Sequence, residues 1–211
     1  MTLKQRYKFF IDYFSEHRPV AETELVYKTP FQLLVAVILS AQCTDKRVNI
    51  ITKELFNQLP DVYSFAKSDF NTVFKLISSC SYPNNKAKYI LGLSNILIKK
   101  YGGQVPESVE ELMQLPGVGR KSANVVASVA FNIPAMPVDT HVFRVAARIG
   151  LTQNVKTPLQ AEAQLVKFLP KDKLNLSHHW LILHGRYICQ ARKPKCNECG
   201  INNFCAYHAK G

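Results

Sequence analysis

No apolar run in the chain approaches the ~18 residues that a membrane span needs. The longest, residues 33–39, reads as part of a buried helix. Period-two alternation between hairpin turns is missing too, which argues against a sheet. There is no low-complexity tract and no defensible internal repeat. Before residue 189 cysteine occurs only as Cys43 and Cys80, so the spread-out framework of a secreted disulfide scaffold is excluded. Acid is scarce: 15 Asp plus Glu stand against 27 Lys plus Arg, a formal net charge of +12. An imbalance of this size favours a polyanion, through phosphate neutralisation and counterion release. The opening Met1-Thr2-Leu3-Lys4-Gln5-Arg6 has neither the apolar stretch nor the cleavage site of a secretory signal. The expectation is a bacterial, cytoplasmic, nucleoid-associated protein with no membrane contact.

What is present is a globular composition, 47% hydrophobic over 211 residues, with helical periodicity almost throughout. Residues 4–16 form a basic amphipathic pattern with Phe9, Phe10, Tyr13 and Phe14 available for burial. Thr29-Pro30 opens a nearly all-apolar helix to Leu39, with proline suited to a first helical position. Further helical patterns cover residues 46–59, 69–79 and 84–101, the last stopping at Gly102-Gly103. Others span 106–115, 120–131, the stretch from Asp139 to Gly150, 158–169 and 174–188. The fold class is therefore all-α, with the proline-containing stretch 132–138 as the internal boundary.

Residues 112–124 read helix, tight turn, helix. The turn, Leu115-Pro116-Gly117-Val118-Gly119-Arg120, pairs two glycines that permit unusual backbone geometry and close approach of a ligand. Val118 plugs the turn into the core, while amides at the start of the second helix face outward, where a phosphate can sit. Arg120 and Ser122 flank that position. This is the helix–hairpin–helix signature, which grips backbone phosphate and reads no sequence. The plainer alternative is an ordinary turn between two helices.

Lys121 lies in the first turn of that second helix, facing the positive end of the helix dipole. That placement disfavours the ammonium, as partial burial does, and so favours the nucleophilic amine. Asp139, at the start of the next helix, is at the least an N-cap. The helix 120–131 advances ~18 Å, and the extended linker 132–138 can return roughly 22 Å. A carboxylate can thereby stand beside Lys121, where it can take the ammonium proton or stabilise a cationic transition state.

Four cysteines crowd the C-terminal part: Cys189-x6-Cys196-x2-Cys199-x5-Cys205. Four thiolates at such spacing hold metal, either one tetrahedral zinc or an iron–sulfur cluster. The loop inside the first gap carries Arg192, Lys193 and Lys195, which fits a second phosphate contact.

Taken together the motifs resemble the endonuclease III family of the helix–hairpin–helix DNA glycosylase superfamily. The resemblance rests on Leu39-Ser40-Ala41-Gln42-Cys43-Thr44-Asp45, the turn from Leu115 to Asn124, Val138-Asp139-Thr140-His141-Val142-Phe143-Arg144, and His178-His179-Trp180-Leu181-Ile182-Leu183-His184-Gly185-Arg186 before the cysteines. It implies two helical lobes with DNA in the cleft between them: a helical barrel of about residues 23–133, and a lobe joining 1–22 to 134–211. It also implies one four-iron four-sulfur cluster on Cys189, Cys196, Cys199 and Cys205. Lys121 falls on the family's nucleophile, Asp139 on its catalytic carboxylate, and Gln42 on a residue that fills the hole left by an extruded nucleotide. The implied activity is removal of oxidised pyrimidines from duplex DNA and nicking at abasic sites, by a monomer. In one place the chain departs from the pattern: where the family has an aliphatic wedge, residues 81–83 read Ser81-Tyr82-Pro83, leaving Tyr82 as the stacking candidate.

Rival readings are an adenine or pyrimidine-dimer glycosylase of the same superfamily, and a non-catalytic DNA-binding module. Lys121 together with Asp139 argues against the module, which needs neither. Lys121 also argues against the adenine enzyme.

Overall fold

The computed structural model describes residues 1–210, and among these every regular element is helical. Helix α1 (Leu3–His17) opens on a capping box. The Thr2 hydroxyl accepts from the Gln5 amide, and the Gln5 side chain accepts from the Thr2 amide at 2.9 Å. Then come α2 (Pro30–Ser40), α3 (Asp45–Gln58), α4 (Val62–Lys67), α5 (Phe70–Ile77), α6 (Pro83–Tyr101), α7 (Val109–Leu112) and α8 (Arg120–Phe131). Helices α9 (Thr140–Ile149), α10 (Pro158–Phe168) and α11 (Leu174–Tyr187) complete the set, with short 3-10 turns near the cysteines.

The chain divides into two compact units, each with its own apolar core. One is Glu24–Ile133; the other joins Met1–Thr23 to the chain from Pro134 onward. In the first, α2 is buried on all sides from Phe31 to Leu39, as its lack of a polar face dictates. Gln32 is the polar exception, and both ends of its amide are used: Nε2 donates to the Pro60 carbonyl at 3.1 Å, and Oε1 accepts from the Lys28 amide at 3.0 Å. The other helices of this unit turn single stripes inward. On α6 the stripe is Lys86, Ile90, Leu93 and Leu97, a 3.6-residue period that includes one lysine.

The second unit ties the two ends of the chain together. Phe10 and Phe14 of α1 meet Trp180 of α11, with ring centroids 5.9 and 5.6 Å apart. Burying each such aromatic contributes about 2–3 kcal/mol. The Trp180 indole N–H, which needs a partner when buried, donates to the Arg18 carbonyl at 2.8 Å.

Three local expectations are corrected. The helix expected over 106–115 is only α7, four residues long. Val105 and Pro106 are buried in non-helical chain ahead of it, and Ser108 caps it by accepting from the Glu111 amide at 3.3 Å. Helix α4 was not expected, because six residues are too few for periodicity to register; Asp61 and Ser64 form its capping box. Phe9, counted among the residues for burial, is exposed, and Tyr7 takes the inner position instead.

Candidate active site and nucleic-acid interface

The hairpin is built by packing. Leu115 and Val118 are buried, so what they offer a ligand is their main chain, while Gly117, Gly119 and Arg120 are exposed. Gly117 has φ +78°, and a Cβ there would stand 2.7 Å from the Tyr89 ring. Both facts demand glycine. Gly119 differs: its φ of −88° suits any residue, and nothing lies within 4 Å of where its Cβ would be. The space in front of Gly119 is open to an approaching group. No side chain caps α8, which begins at Arg120. The positive end of its dipole is therefore left for an anion. Lys121 is half-buried in the first turn of α8, beside the half-buried Ser122.

A second group in the same unit brings Gln42 and Tyr82 together. Both are exposed, and both hold the left-handed conformation at φ 55°, a costly geometry that persists only where surroundings enforce it. The enforcement is visible. The Ser81 hydroxyl donates to the Gln42 carbonyl at 2.6 Å, and beneath them lies Lys86, only 4% exposed. Its Nζ donates to the Leu39 and Ala41 carbonyls at 2.8 and 2.7 Å, at the C-terminal end of α2. A lysine there satisfies orphan carbonyls and complements the helix dipole. Sequence reasoning did not single out Lys86, though a lysine on the apolar stripe of α6 was the available signal.

In the other unit Asp139 caps α9. Its Oδ1 accepts from the amides of His141 and Val142, each at 2.8 Å, and His141 Nδ1 stands 3.7 Å from Oδ2. The N-cap role is therefore realised, and Oδ2 keeps acceptor capacity for a reacting group. Helix α11 holds the chain leading into this cap: Asn175 Oδ1 accepts from the Ala135 amide at 3.1 Å, and His178 Nδ1 lies 2.8 Å from the Pro137 carbonyl. His178 thus positions the aspartate segment, in keeping with a supporting role for these histidines.

The far end of α9 grips the cysteine loop. Arg144 donates to the Gly185 and Cys189 carbonyls at 3.0 and 3.2 Å; Arg148 donates to the Gln190 and Ala191 carbonyls at 2.7 and 2.8 Å. Arg148 also covers the Tyr207 ring at 4.8 Å. Neither arginine was assigned this task from sequence, since nothing in the residue order reveals a helix-to-loop clasp. On the loop, Arg192 and Lys193 are exposed, while Lys195 stands 3.8 Å from Glu198.

Cys189, Cys196, Cys199 and Cys205 line one small pocket, walled otherwise by groups such as Ile149, Ile188, Pro194 and Ile201. Among the described residues no three His, Cys, Asp or Glu side chains converge on a single-ion position. Four thiols lining one largely apolar pocket fit a polynuclear iron–sulfur cluster held at its corners. His184 Nε2 lies 3.5 Å from Cys199 Sγ, and burial pulls this histidine down to about 4. Burial pushes the Cys199 thiol up, and the neighbouring cysteines add to that. A bound metal reverses this preference by taking up the thiolate.

Comparison with known proteins matches these parts one by one. Residues 35–171 match the family model of the HhH-GPD superfamily base excision DNA repair proteins, and residues 189–205 match the iron–sulfur binding domain of endonuclease III. Endonuclease III of Rickettsia prowazekii (strain Madrid E) is 49% identical over 195 residues, 92% of either chain. That of Bacillus subtilis (strain 168) is 45% identical over 97% of this chain and 93% of its own. A solved structure of a trapped endonuclease III–DNA covalent intermediate superposes with a TM-score of 0.94 at 43% identity, covering 100% of this chain and 99% of that one. The chain belongs to the endonuclease III family of HhH-GPD base-excision DNA repair proteins, whose four-iron four-sulfur cluster it shares.

Proposed function

We propose that this DNA glycosylase and abasic-site lyase of base excision repair removes oxidised pyrimidines through Lys121, with Asp139 as its carboxylate partner. The observation that carries the reading is the start of α8, where an uncapped helix end and the open face of Gly119 stand one turn from a half-buried lysine. A DNA phosphate seated there fixes the backbone and holds the neighbouring nucleotide near the Lys121 amine.

The damaged nucleotide leaves the stack, and Gln42 and Tyr82 take up the space it vacates. Tyr82 replaces the family's aliphatic wedge by stacking, which suits an exposed ring on a fixed backbone. The Lys121 ammonium gives up a proton, with Asp139 as the general base, and the amine attacks C1′ of the sugar as the base departs. The carboxylate also stabilises the positive charge that grows on the sugar ring. A proton passes from nitrogen to O4′, the C1′–O4′ bond breaks and the ring opens, and nitrogen and C1′ are left joined as a protonated Schiff base. Loss of a C2′ proton expels the 3′ phosphate by β-elimination, and hydrolysis returns Lys121. Cys189, Cys196, Cys199 and Cys205 would hold the iron–sulfur cluster, which would tie down the loop 189–205 and with it Arg192 and Lys193 for a second phosphate contact. The assigned setting is the bacterial nucleoid, with the enzyme acting as a monomer on duplex DNA. A relative caught as a covalent intermediate with DNA supports the lysine mechanism.

The test is borohydride trapping on duplexes carrying thymine glycol, an abasic site, a cyclobutane dimer, or adenine opposite 8-oxoguanine. Trapping is expected on the first two, and Lys121→Gln is expected to abolish it. Base release from the adenine mismatch without trapping would overturn the mechanism and move the chain to another branch of the superfamily.

A further inference from the structure

The Gln42–Tyr82 group contains chemistry that the glycosylase and lyase steps do not use. Cys43 follows Gln42, and Cys80 precedes Ser81 and Tyr82. The hydrogen bond from the Ser81 hydroxyl to the Gln42 carbonyl sets the two segments side by side, and both cysteines pack into the same apolar core. Cys43 is half-buried and Cys80 is 5% exposed. Lys86 Nζ, buried below, stands 3.2 Å from Cys80 Sγ, and Cys80 Sγ lies 3.3 Å from the Leu39 carbonyl. One reachable thiol, one sheltered thiol and one fixed ammonium therefore meet under the two residues assigned to the vacated space in the duplex.

We propose that Cys43 and Cys80 form an oxidisable dithiol that hydroperoxides convert to a reversible disulfide, and that this bond withdraws Gln42 and Tyr82 from DNA. The second half rests on the DNA contacts proposed above; the first half does not.

Cys43 is the attacking group because solvent reaches it. Its thiolate takes one oxygen of a hydroperoxide; the O–O bond breaks and an alcohol, or water, leaves. The product is a sulfenic acid on Cys43. Cys80 sulfur then attacks that sulfur. The S–S bond forms, the S–O bond breaks, and the departing hydroxide leaves as water with the Cys80 proton. Two thiols lose two electrons and two protons, and the peroxide accepts both. Burial raises the Cys80 thiol, and the Lys86 ammonium works against that rise by stabilising the thiolate needed for the second step. The two sulfurs must close to the ~2.05 Å of a covalent bond. The movement falls on the residues next to two left-handed positions, which have little freedom left to absorb it.

The experiment treats the holoenzyme with hydrogen peroxide at doses that leave the cluster absorbance unchanged, blocks remaining thiols by alkylation, and maps tryptic peptides without reduction. Peptides 29–46 and 76–86 are expected to appear joined, and to separate with dithiothreitol. Nicking of an abasic duplex is expected to fall roughly 10- to 100-fold, as displacement of positioning groups does, and to recover on reduction. Cys43→Ser is expected to nick normally and to resist peroxide. Separate alkylation of both thiols after treatment would overturn the proposal, and so would peroxide sensitivity that survives in Cys43→Ser. A joined pair with unchanged nicking would keep the dithiol and remove Gln42 and Tyr82 from the DNA contacts.

Discussion

The two units hold their functional residues in different ways. In Glu24–Ile133 the hairpin is set by packing: Gly117 is pressed against Tyr89 and Val118 is sunk in the core. In the other unit the functional residues are set by hydrogen bonds to main-chain oxygens, from Arg144, Arg148 and His178, and by the cluster ligation proposed for the four cysteines. A packed site is stable by itself and sensitive to volume. A site tied by polar links depends on each donor and on its cofactor. The difference teaches that the same enzyme can be broken by a methyl group in one unit and by a lost ligand in the other.

The contrast sharpens most with Cys199→Ser. Cluster absorbance near ~410 nm should vanish, and the unit that holds α9 and α11 should lose several kcal/mol. Hydrogen exchange should show Glu24–Ile133 nearly unchanged; equal loss of protection in both units would break the comparison. Asp139 comes next. Asn keeps an N-cap where Ala does not, so Asp139→Asn should leave stability nearly intact while base release slows about 100-fold or more. Asp139→Ala should slow the reaction similarly and cost a further ~1 kcal/mol in denaturant unfolding.

In the packed unit the paired glycines separate stability from binding. Gly117→Ala meets the Tyr89 ring and a positive φ, and should destabilise by about 2–3 kcal/mol. Gly119→Ala should leave the unfolding midpoint where it is and weaken binding to a duplex with an abasic-site analogue, since its methyl enters the open space. The smallest effect is on pH dependence. Burial holds His179 at about 4 against an ordinary 6.5. The unfolded chain therefore binds the extra proton first as pH falls. The stability this histidine contributes is complete above pH 6.5 and is lost progressively down to about 4. Between pH 6.5 and 5 the loss should be roughly 1–2 kcal/mol, and His179→Gln should flatten that slope in urea unfolding.

Much of this was legible in the residue order. Helix boundaries marked by Thr-Pro, by Asp139 and by Gly102 followed from local rules, because caps and glycine stops act within a few residues. The hairpin was legible for the same reason, and the cysteine spacing announced a metal. What escaped was contact between residues far apart in sequence. Arg148 reaches carbonyls 42 and 43 residues away, and Lys86 reaches back 45 and 47. Side-chain type says that such a group needs a partner, and only the fold says which. Helix α7 failed for a local reason: Pro106 suits a first helical position, yet it fills the core with Val105 as non-helical chain.

The clasp of Arg148 has an evolutionary consequence. It holds the loop through the carbonyls of Gln190 and Ala191, and a carbonyl is the same whatever side chain its residue bears. The loop is fastened by its backbone at that end and by its cysteines elsewhere. Residues 192 and 193, exposed between those fastenings, can exchange one charge for another without loosening either. Given the phosphate contact proposed for Arg192 and Lys193, a lineage can thus retune how tightly, and at what salt, its enzyme rides on DNA, one surface substitution at a time and with the scaffold held constant.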